Sequence, residues 1–227
     1  MILITGASRG IGRFLFNTFR QNGWDVHGTF NQTKPEEEYS SLFSFVDVSD
    51  YSQVSKFIGK IRSQLTRIVL INCAGTNYNS FAHKVDITQW ERVINVNLFG
   101  TFNMIASLLP IMRDEGYGRI INFASVVGQV GVPGTSAYAA SKTGLWGMTK
   151  SIAVENASKG ITINCLNLGY FDIGMIQDVP ERYRQQLKKE IPTGKFGDPE
   201  SIFNAVNFLI DTEYINGANL DLNGAFL

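Results

Sequence analysis

Short apolar runs rich in isoleucine, valine and leucine recur along the chain, and they do not alternate strictly with polar residues. Continuous apolar strands of this kind are typical of a parallel sheet that is buried on both faces. The runs predict seven strands, at residues 2–5, 25–30, 42–46, 68–72, 119–125, 161–167 and 219–223.

The segments between these runs carry apolar residues at helical spacing. They predict helices at residues 11–23, 50–65, 88–113, 136–157 and 199–211. Asp50 is a predicted N-cap, Gly23 is a predicted C-cap, and Pro199 lies just inside the last helix. Because strands and helices alternate, we expect an α/β fold: one doubly wound Rossmann-type domain over 1–227, with a mostly parallel seven-stranded sheet flanked by helices.

The segment 171–195 departs from this alternation. It is polar, it is interrupted by Pro180 and Pro192, and it is longer than a typical connection. An insertion of this kind predicts a substrate lid. Its basic residues favour either an anionic substrate or a solvated helix face; they are Arg182, Arg184, Lys188 and Lys189.

The composition excludes several classes of function. Hydrophobic residues make up 44% of the 227 positions, which suits a globular core. Lys plus Arg and Asp plus Glu each number 20, so the basic excess of a nucleic-acid-binding protein is missing. We see no apolar stretch long enough to span a membrane, and the first residues predict a strand, not a signal peptide. We therefore expect a cytoplasmic protein that binds neither nucleic acid nor membrane.

The cysteines and histidines do not predict a metal site. Cys73 and Cys165 lie in apolar, strand-like contexts and are expected to be buried thiols in a reducing compartment. The two histidines, His27 and His83, are not paired with each other or with cysteine at ligand spacing.

A glycine-rich loop follows the first predicted strand. Residues 5–12 read TGASRGIG, with glycines at Gly6, Gly10 and Gly12. Glycine allows a tight turn and close approach to a ligand, and the helix that follows directs free N–H groups and its positive dipole end at a phosphate. The order of strand, loop and helix predicts a dinucleotide site; the alternative is a turn without a ligand. No Gly-Lys-Ser/Thr follows, which disfavours a P-loop.

A tyrosine and a lysine share one helix face further along the chain. Tyr138 and Lys142 are four residues apart, and Ser125 ends a predicted strand at the carboxyl edge of the sheet. An ammonium at ~4 Å supplies on the order of 4 kcal/mol at an effective dielectric of ~20, enough to ionise a phenol near neutral pH. The alternative is an ordinary pair on a surface helix.

Taken together, these motifs resemble one enzyme family in their order and spacing. They are TGASRGIG, NCAG at 72–75, NVNLFG at 95–100, RIINFASVVG at 119–128, YAASK at 138–142 and GITINCLNLG at 160–169. The chain resembles the short-chain dehydrogenase/reductase family, and it is similar to the 3-oxoacyl-(acyl carrier protein) reductases. The resemblance extends from Met1 to INGANLDLNG at 215–224.

The resemblance implies roles for four catalytic residues. Tyr138 donates a proton to the substrate carbonyl oxygen, and Ser125 forms a hydrogen bond with that oxygen. Lys142 lowers the pKa of Tyr138 and holds the ribose hydroxyls. Asn97 holds a water molecule that connects Lys142 to solvent. The nicotinamide supplies the hydride.

The resemblance also implies a set of cofactor-binding residues: Gly6, Ser8, Arg9, Gly10, Ile11, Gly12, Asn31, Asp47, Val48, Asn72, Ala74, Gly75, Tyr138, Lys142, Gly169 and Phe171. Arg9, with Ser8 and Asn31, contacts the 2′-phosphate of NADP in similar reductases. No acid follows the second predicted strand until Glu36, so the group that would select NAD is missing. We expect NADPH to be preferred, with NADH possible. The alternatives are a solvated Arg9 and an Asp47 that only caps a turn.

The chain also departs from the family pattern. Leu168 stands where the family usually has proline, which is expected to loosen the following loop, and Ile173 stands where it often has threonine. Asp114 and Glu115 stand where carrier-protein reductases have basic residues, so docking of an acyl carrier protein is doubtful; only Lys159 retains part of that basic patch. A sugar, a small ketone or a coenzyme A thioester is at least as plausible a substrate.

The sequence therefore predicts an NADPH-dependent reductase of a small carbonyl compound. The same residues serve an alcohol or sugar dehydrogenase that works in the oxidising direction. A non-catalytic dinucleotide-binding sensor is a further alternative. Similar proteins associate through the helices near 88–113 and 136–157 and the C-terminal strand, so we expect a homodimer or homotetramer.

Overall fold

The computed structural model describes residues 1–226, in which seven parallel strands form one sheet. The strands are β1 (Ile2–Thr5), β2 (Val26–Phe30), β3 (Phe43–Phe45), β4 (Val69–Asn72), β5 (Gly118–Ser125), β6 (Ile161–Leu168) and β7 (Asn219–Leu222). Their order is β3-β2-β1-β4-β5-β6-β7, and every pairing is parallel. The predicted fold class and strands are confirmed.

Helices cover both faces of this sheet. They are α1 (Gly10–Gln21), α2 (Tyr51–Ile61), α3 (Ile87–Ile94), α4 (Gly100–Glu115), α5 (Val127–Val130), α6 (Ser136–Asn156), α7 (Glu181–Glu190) and α8 (Pro199–Asp211). Asp50 caps α2 as predicted, since its carboxylate accepts hydrogen bonds from the N–H groups of Ser52 and Gln53.

The alternation of side chains along the strands explains the two-sided core. Leu3 and Leu70 pack with α2, α4 and α6 on one face, whereas Ile2, Ile4 and Ile71 pack with α1 and α8 on the other. Every residue of β5 and β6 is buried. A strand that is buried on both faces needs apolar residues at successive positions, which is the pattern that the sequence shows.

The helix predicted near 88–113 consists of α3 and α4, joined by a π-helical turn at Asn95–Phe99. The stretch Ile87–Glu115 is 29 residues long and contains an 18-residue window of mean hydropathy 1.4, so the expectation of no apolar stretch of membrane-spanning length is wrong. The apolar character of this stretch has another explanation. Met104, Ile105 and Leu108 have no exposed surface and pack in the core beside the sheet.

The strand order reverses between β1 and β4, because β2 and β3 lie on one side of β1 while β4 to β7 lie on the other. In sheets of this kind, ligands bind beyond the carboxyl ends of the strands at the point of reversal. The topology therefore predicts a ligand site at the loops that follow β1 and β4.

The segment 171–195 contains a 3-10 helix, Gly174–Asp178, followed by α7. It lies over the glycine-rich loop, since a Cβ atom added to Gly10 would be 3.1 Å from the Cα of Gly174. Arg184 fixes α7 to the start of the segment by an ion pair with Asp172, at 2.7 Å.

Candidate active site

A cleft of about 1090 Å³ runs along the carboxyl edge of the sheet. Its volume is at the upper end of the range for ligand sites. The wall contains most of the site residues predicted from the sequence: Gly6, Ser8, Arg9, Gly10, Ile11, Asn31, Asp47, Val48, Ala74, Gly75, Ser125, Tyr138, Lys142, Gly169 and Phe171.

The glycine-rich loop presents backbone donors to this cleft. Gly6 has a φ of 63°, and an added Cβ atom would lie 2.8 Å from the Cα of Ala74, so only glycine fits there. Gly10 and Ile11 begin α1, line the cleft, and have no side-chain cap on their helix. Free N–H groups and the positive helix end favour an anion at this position. The residues therefore fit the diphosphate of a dinucleotide.

The region beyond β2 favours a further negative charge on the ligand. Asn31, Gln32 and Thr33 line the cleft there, and Arg9 lies exposed in the same wall. The first acid after β2, Glu36, accepts a hydrogen bond from Arg13. Beyond β3, Asp47 lines the cleft and also accepts hydrogen bonds within its own turn. The geometry of Asp47 is therefore compatible both with contact to a cofactor and with a residue that only caps its turn.

A serine, a tyrosine and a lysine converge where β5 ends. Ser125 is the last residue of β5, while Tyr138 and Lys142 project from successive turns of α6. The Nζ atom of Lys142 lies 5.6 Å from the centroid of the Tyr138 ring and donates a hydrogen bond to the Phe123 carbonyl at 2.6 Å. The strand end and the helix turn thus bring together three groups that can bind, donate or remove a proton.

Burial controls the protonation of this group. It raises the pKa of Tyr138 to about 12, and the side-chain hydrogen bond with Ser125 acts in the opposite direction. Burial lowers the pKa of Lys142 to about 8. Burial of the phenol therefore outweighs the Ser125 hydrogen bond, and the Lys142 ammonium is directed at the Phe123 carbonyl. The lowering of the Tyr138 pKa by Lys142 together with an oxidised nicotinamide stays a prediction. A phenol that keeps its proton at neutral pH is suited to donate it.

Comparison with known proteins identifies the family. A family model described as short chain dehydrogenase matches residues 1–184. The chain belongs to the short-chain dehydrogenase family. It is therefore an oxidoreductase enzyme of this family.

Several reductases are similar to this short-chain dehydrogenase over almost its whole length. The acetoacetyl-CoA reductase of Shinella zoogloeoides is 36% identical, with 98% of this chain and 96% of the relative aligned. The 3-oxoacyl-(acyl-carrier-protein) reductase of Staphylococcus aureus is 35% identical, with the same coverage of both chains. The corresponding reductase of Escherichia coli is 33% identical, with 98% of this chain and 95% of the relative aligned.

Three predicted site residues, Gly12, Asn72 and Asn97, lie outside the described cleft wall. An added Cβ atom at Gly12 would be 2.3 Å from the Gly6 carbonyl oxygen, so this glycine allows the loop to pack onto α1. Asn72 is buried in the sheet and donates a hydrogen bond to Asn122 at 2.9 Å.

Asn97 is fully buried and connects the loop after β4 to α6. Its Oδ1 atom accepts a hydrogen bond from the Thr76 N–H at 2.8 Å. Its Nδ2 atom donates to the Thr76 carbonyl and to the Ser141 hydroxyl. In this short-chain dehydrogenase, the side chain of Asn97 thus positions Thr76 against the helix that carries Tyr138 and Lys142, a contact that the sequence did not predict.

The loop after β6 is held without the usual proline. Leu168 pairs with β5 and β7, and the N–H of Gly169 donates to the Leu222 carbonyl at 3.0 Å. A backbone hydrogen bond thus ties the start of the loop to β7, and the loosening expected from the missing proline stays a prediction. Ile173 is half-buried and packs against the core that contains α1 and α8.

Sequence reasoning predicted a lid at 171–195 but named none of its individual residues as part of the cleft wall except Phe171. The cleft wall also contains residues that were not predicted individually: Cys73, Val132, Pro133, Tyr170, Met175, Ile176, Asp178, Val179, Tyr183, Leu187 and Glu190. Cys73 is only partly buried, which corrects the expectation for this thiol, whereas Cys165 is buried as predicted. The position of Tyr170, two residues after the end of β6, was a further signal, because strand ends meet at the ligand edge.

Proposed function

We propose that this short-chain dehydrogenase reduces a carbonyl compound to an alcohol, with NADPH as the hydride donor and Tyr138 as the proton donor. The observation that carries the proposal is the contact of Ser125, Tyr138 and Lys142 in the wall of the same cleft as the glycine-rich loop. The loop supplies donors for a diphosphate, and the three side chains supply a hydrogen-bond donor, a proton and a positive charge.

The chemistry balances with these groups. NADPH, when bound, would supply a hydride, that is one proton with two electrons, for the carbonyl carbon. The Tyr138 hydroxyl gives its proton to the carbonyl oxygen, so the C=O π bond is replaced by one C–H and one O–H bond. Ser125 donates a hydrogen bond to that oxygen as its negative charge grows. The Lys142 ammonium stabilises the phenolate until solvent restores its proton.

Two features of the nucleotide end support a preference for NADPH over NADH. Arg9 offers a positive charge, and the described lining residues immediately after β2 carry no carboxylate that would repel a 2′-phosphate. Ser8 and Asn31 add polar groups in the same wall. NADH remains a usable second cofactor because the diphosphate donors are common to both.

The substrate is proposed to be a ketone, a 3-oxoacyl thioester or a keto-sugar. The similar reductases are named for acetoacetyl-CoA and for a 3-oxoacyl carrier protein. Docking of a carrier protein has weak support here, because Asp114 and Glu115 are exposed and Lys159 is the nearby basic residue of that patch. An alcohol or sugar dehydrogenase working in the oxidising direction uses the same residues.

We propose a cytoplasmic homodimer or homotetramer as the working form. Phe99 and Phe102 are about half exposed, and Val154 is almost fully exposed on α6. Exposed apolar side chains on α4, on the turn before it and on α6 favour association between copies of the chain. We keep the segment 171–195 as a proposed substrate lid.

The decisive experiment compares the wild type with Tyr138→Phe. We expect NADPH oxidation with a 3-oxo ester to fall at least about 100-fold, because general acid catalysis contributes roughly that much or more. NADPH binding, measured by fluorescence titration, should change little. Tyr214→Phe is the matched control, since that side chain is 99% exposed and lies outside the cleft. If Tyr138→Phe reduces the substrate at the wild-type rate, the mechanism is contradicted. If the wild type binds NADPH but shows no turnover, a non-catalytic sensor is favoured.

A further inference from the structure

We propose that Ser141 is a positioning residue for the proposed reaction. Its hydroxyl joins the turn of α6 that carries Tyr138 and Lys142 to the amide of Asn97, and through that amide to the loop after β4. This inference rests on the proposed function, because it concerns how the same site holds its reacting groups in place.

Ser141 lies next to the reacting groups but outside the cleft. It follows Tyr138 by three residues and directly precedes Lys142 on α6. It has no exposed surface, and it does not belong to the described cleft wall. A hydroxyl that is shielded from water in this way needs hydrogen-bond partners inside the protein. The role of Ser141 therefore depends on which groups its hydroxyl contacts.

The hydroxyl of Ser141 forms two hydrogen bonds, one within the helix and one outside it. It donates to the Tyr138 carbonyl at 2.8 Å, and it accepts from the Nδ2 atom of Asn97 at 3.0 Å. A bond from a serine to a carbonyl one turn earlier does not strengthen a helix, and alanine is a better helix former than serine. The stability of α6 alone does not explain a serine here, so we assign its role to the contact with Asn97.

Asn97 is a fixed partner, because its other polar groups are also bonded. Its backbone carbonyl accepts a hydrogen bond from the Thr101 hydroxyl at 2.8 Å. Its side-chain amide forms two hydrogen bonds with the backbone of Thr76, at 2.8 and 2.9 Å. Thr76 lines the cleft. Ser141 accepts the remaining hydrogen of the Nδ2 atom, so one amide holds both the cleft loop and the turn of α6.

The loop, the amide and the ammonium meet at Gly75. A Cβ atom added to Gly75 would lie 3.4 Å from the Oδ1 atom of Asn97 and 3.8 Å from the Nζ atom of Lys142. These are contact distances, so a movement of this turn of α6 relative to the loop changes the place of Lys142 at the cleft wall. Reaction rates are sensitive to such movements, since a misplacement of about 1 Å can cost roughly 100-fold.

Other contacts keep α6 docked when the Ser141 hydroxyl is removed. Trp146 donates a hydrogen bond to the Asn167 side chain of β6 at 2.7 Å, and Asn122 of β5 donates to the Thr149 hydroxyl at 3.0 Å. Both bonds belong to later turns of α6 and join the helix to the sheet. We therefore expect Ser141→Ala to fold, with a loosened link between the helix and the loop after β4.

The test compares the wild type with Ser141→Ala in the reduction of methyl acetoacetate by NADPH. We expect kcat to fall roughly 10-fold, because the reacting groups lose part of their alignment. The KM for the ester and the Kd for NADPH should change less than about 2-fold, since Ser141 touches neither ligand. Ser151→Ala, at an exposed position on the same helix, should leave these values unchanged. Ser141→Thr keeps the hydroxyl, so its kcat should stay within about 3-fold of the wild type.

The outcomes separate the inference from the proposed function. The free energy of unfolding is measured for each variant, so that loss of folded protein is not mistaken for loss of kcat. If Ser141→Ala is less stable but its kcat per folded enzyme is unchanged, Ser141 is only a structural residue and the inference is overturned. A matching loss of NADPH binding, or a Ser141→Thr variant that is stable yet as slow as Ser141→Ala, overturns it as well. If the wild type reduces no carbonyl compound, the proposed function is overturned, and this inference with it.

Discussion

At the scale of single residues, Lys142 is the position where function and stability oppose each other. Only 6% of its surface is exposed, and burial lowers its pKa from 10.5 to about 8. The difference corresponds to about 3 kcal/mol. Both the folded and the unfolded chain are protonated at neutral pH, so the folded state bears this whole cost there. The cost disappears as the pH rises from the folded value of about 8 to the unfolded value of 10.5.

Lys142→Met should reveal that cost. The substitution removes the buried charge but leaves the Phe123 carbonyl without its donor, which costs about 1–3 kcal/mol. We therefore expect the free energies of unfolding of variant and wild type to be similar near pH 7. Between pH 7 and pH 10.5 the wild type should gain about 3 kcal/mol relative to the variant. Urea unfolding at both pH values measures this, with the exposed Lys150→Met as the control. A pH-independent difference contradicts the shifted pKa.

Substitution of a second residue, Arg9, tests the cofactor preference. Arg9→Glu replaces attraction to a 2′-phosphate by repulsion, so NADPH binding should weaken roughly 30- to 100-fold more than NADH binding. Fluorescence titration with the two cofactors measures the difference. Arg62→Glu, an exposed position outside the cleft wall, is the charge-matched control. Equal weakening of both cofactors by Arg9→Glu would contradict the assignment.

At the scale of elements, the sequence predicted the strands and helix starts, because these depend on local residue patterns. The buried strands were found because continuous apolar runs mark them, and Asp50 and Pro199 marked helix starts through backbone chemistry. The π-helical turn at Asn95–Phe99 was missed, because it lengthens a helix without a polar interruption. The helix α7 was missed because its residues are mostly polar and its segment contains two prolines.

The parts of the site that were missed depend on contacts between distant segments. Asn97 finds its partners at Thr76 and Ser141, which are 21 and 44 residues away. The burial that raises the pKa of Tyr138 comes from the assembled cleft, whereas the sequence shows only the lysine one turn away. Glycines and the order of strand, loop and helix are local signals, so the glycine-rich loop was predicted more completely than the lid residues of the cleft wall.

At the scale of the whole molecule, the exposed aromatic residues on α4 bear on the proposed assembly. Phe102 is 46% exposed. If α4 and α6 form the interface, Phe102→Glu should bury a charge between copies and shift the mass in solution toward the monomer. Light scattering coupled to size-exclusion chromatography measures this. Tyr51→Glu, at an exposed aromatic residue of α2, is the control. A wild type that is already monomeric contradicts the proposal.

The strand order also has a consequence for how the chain folds during synthesis. β1 is made first, and in the folded sheet it pairs with β2 on one edge and with β4 on the other, in the register Ile2 with Val69. The edge of β1 that pairs with β4 therefore stays unpaired while the residues between Phe30 and Val69 are translated. This takes a few seconds at ~5–20 residues per second. An apolar strand with an open edge is prone to pair with other chains during that time. The same central position that places β1 beside the cleft thus leaves one apolar edge of the first strand unpaired until β4 has been made.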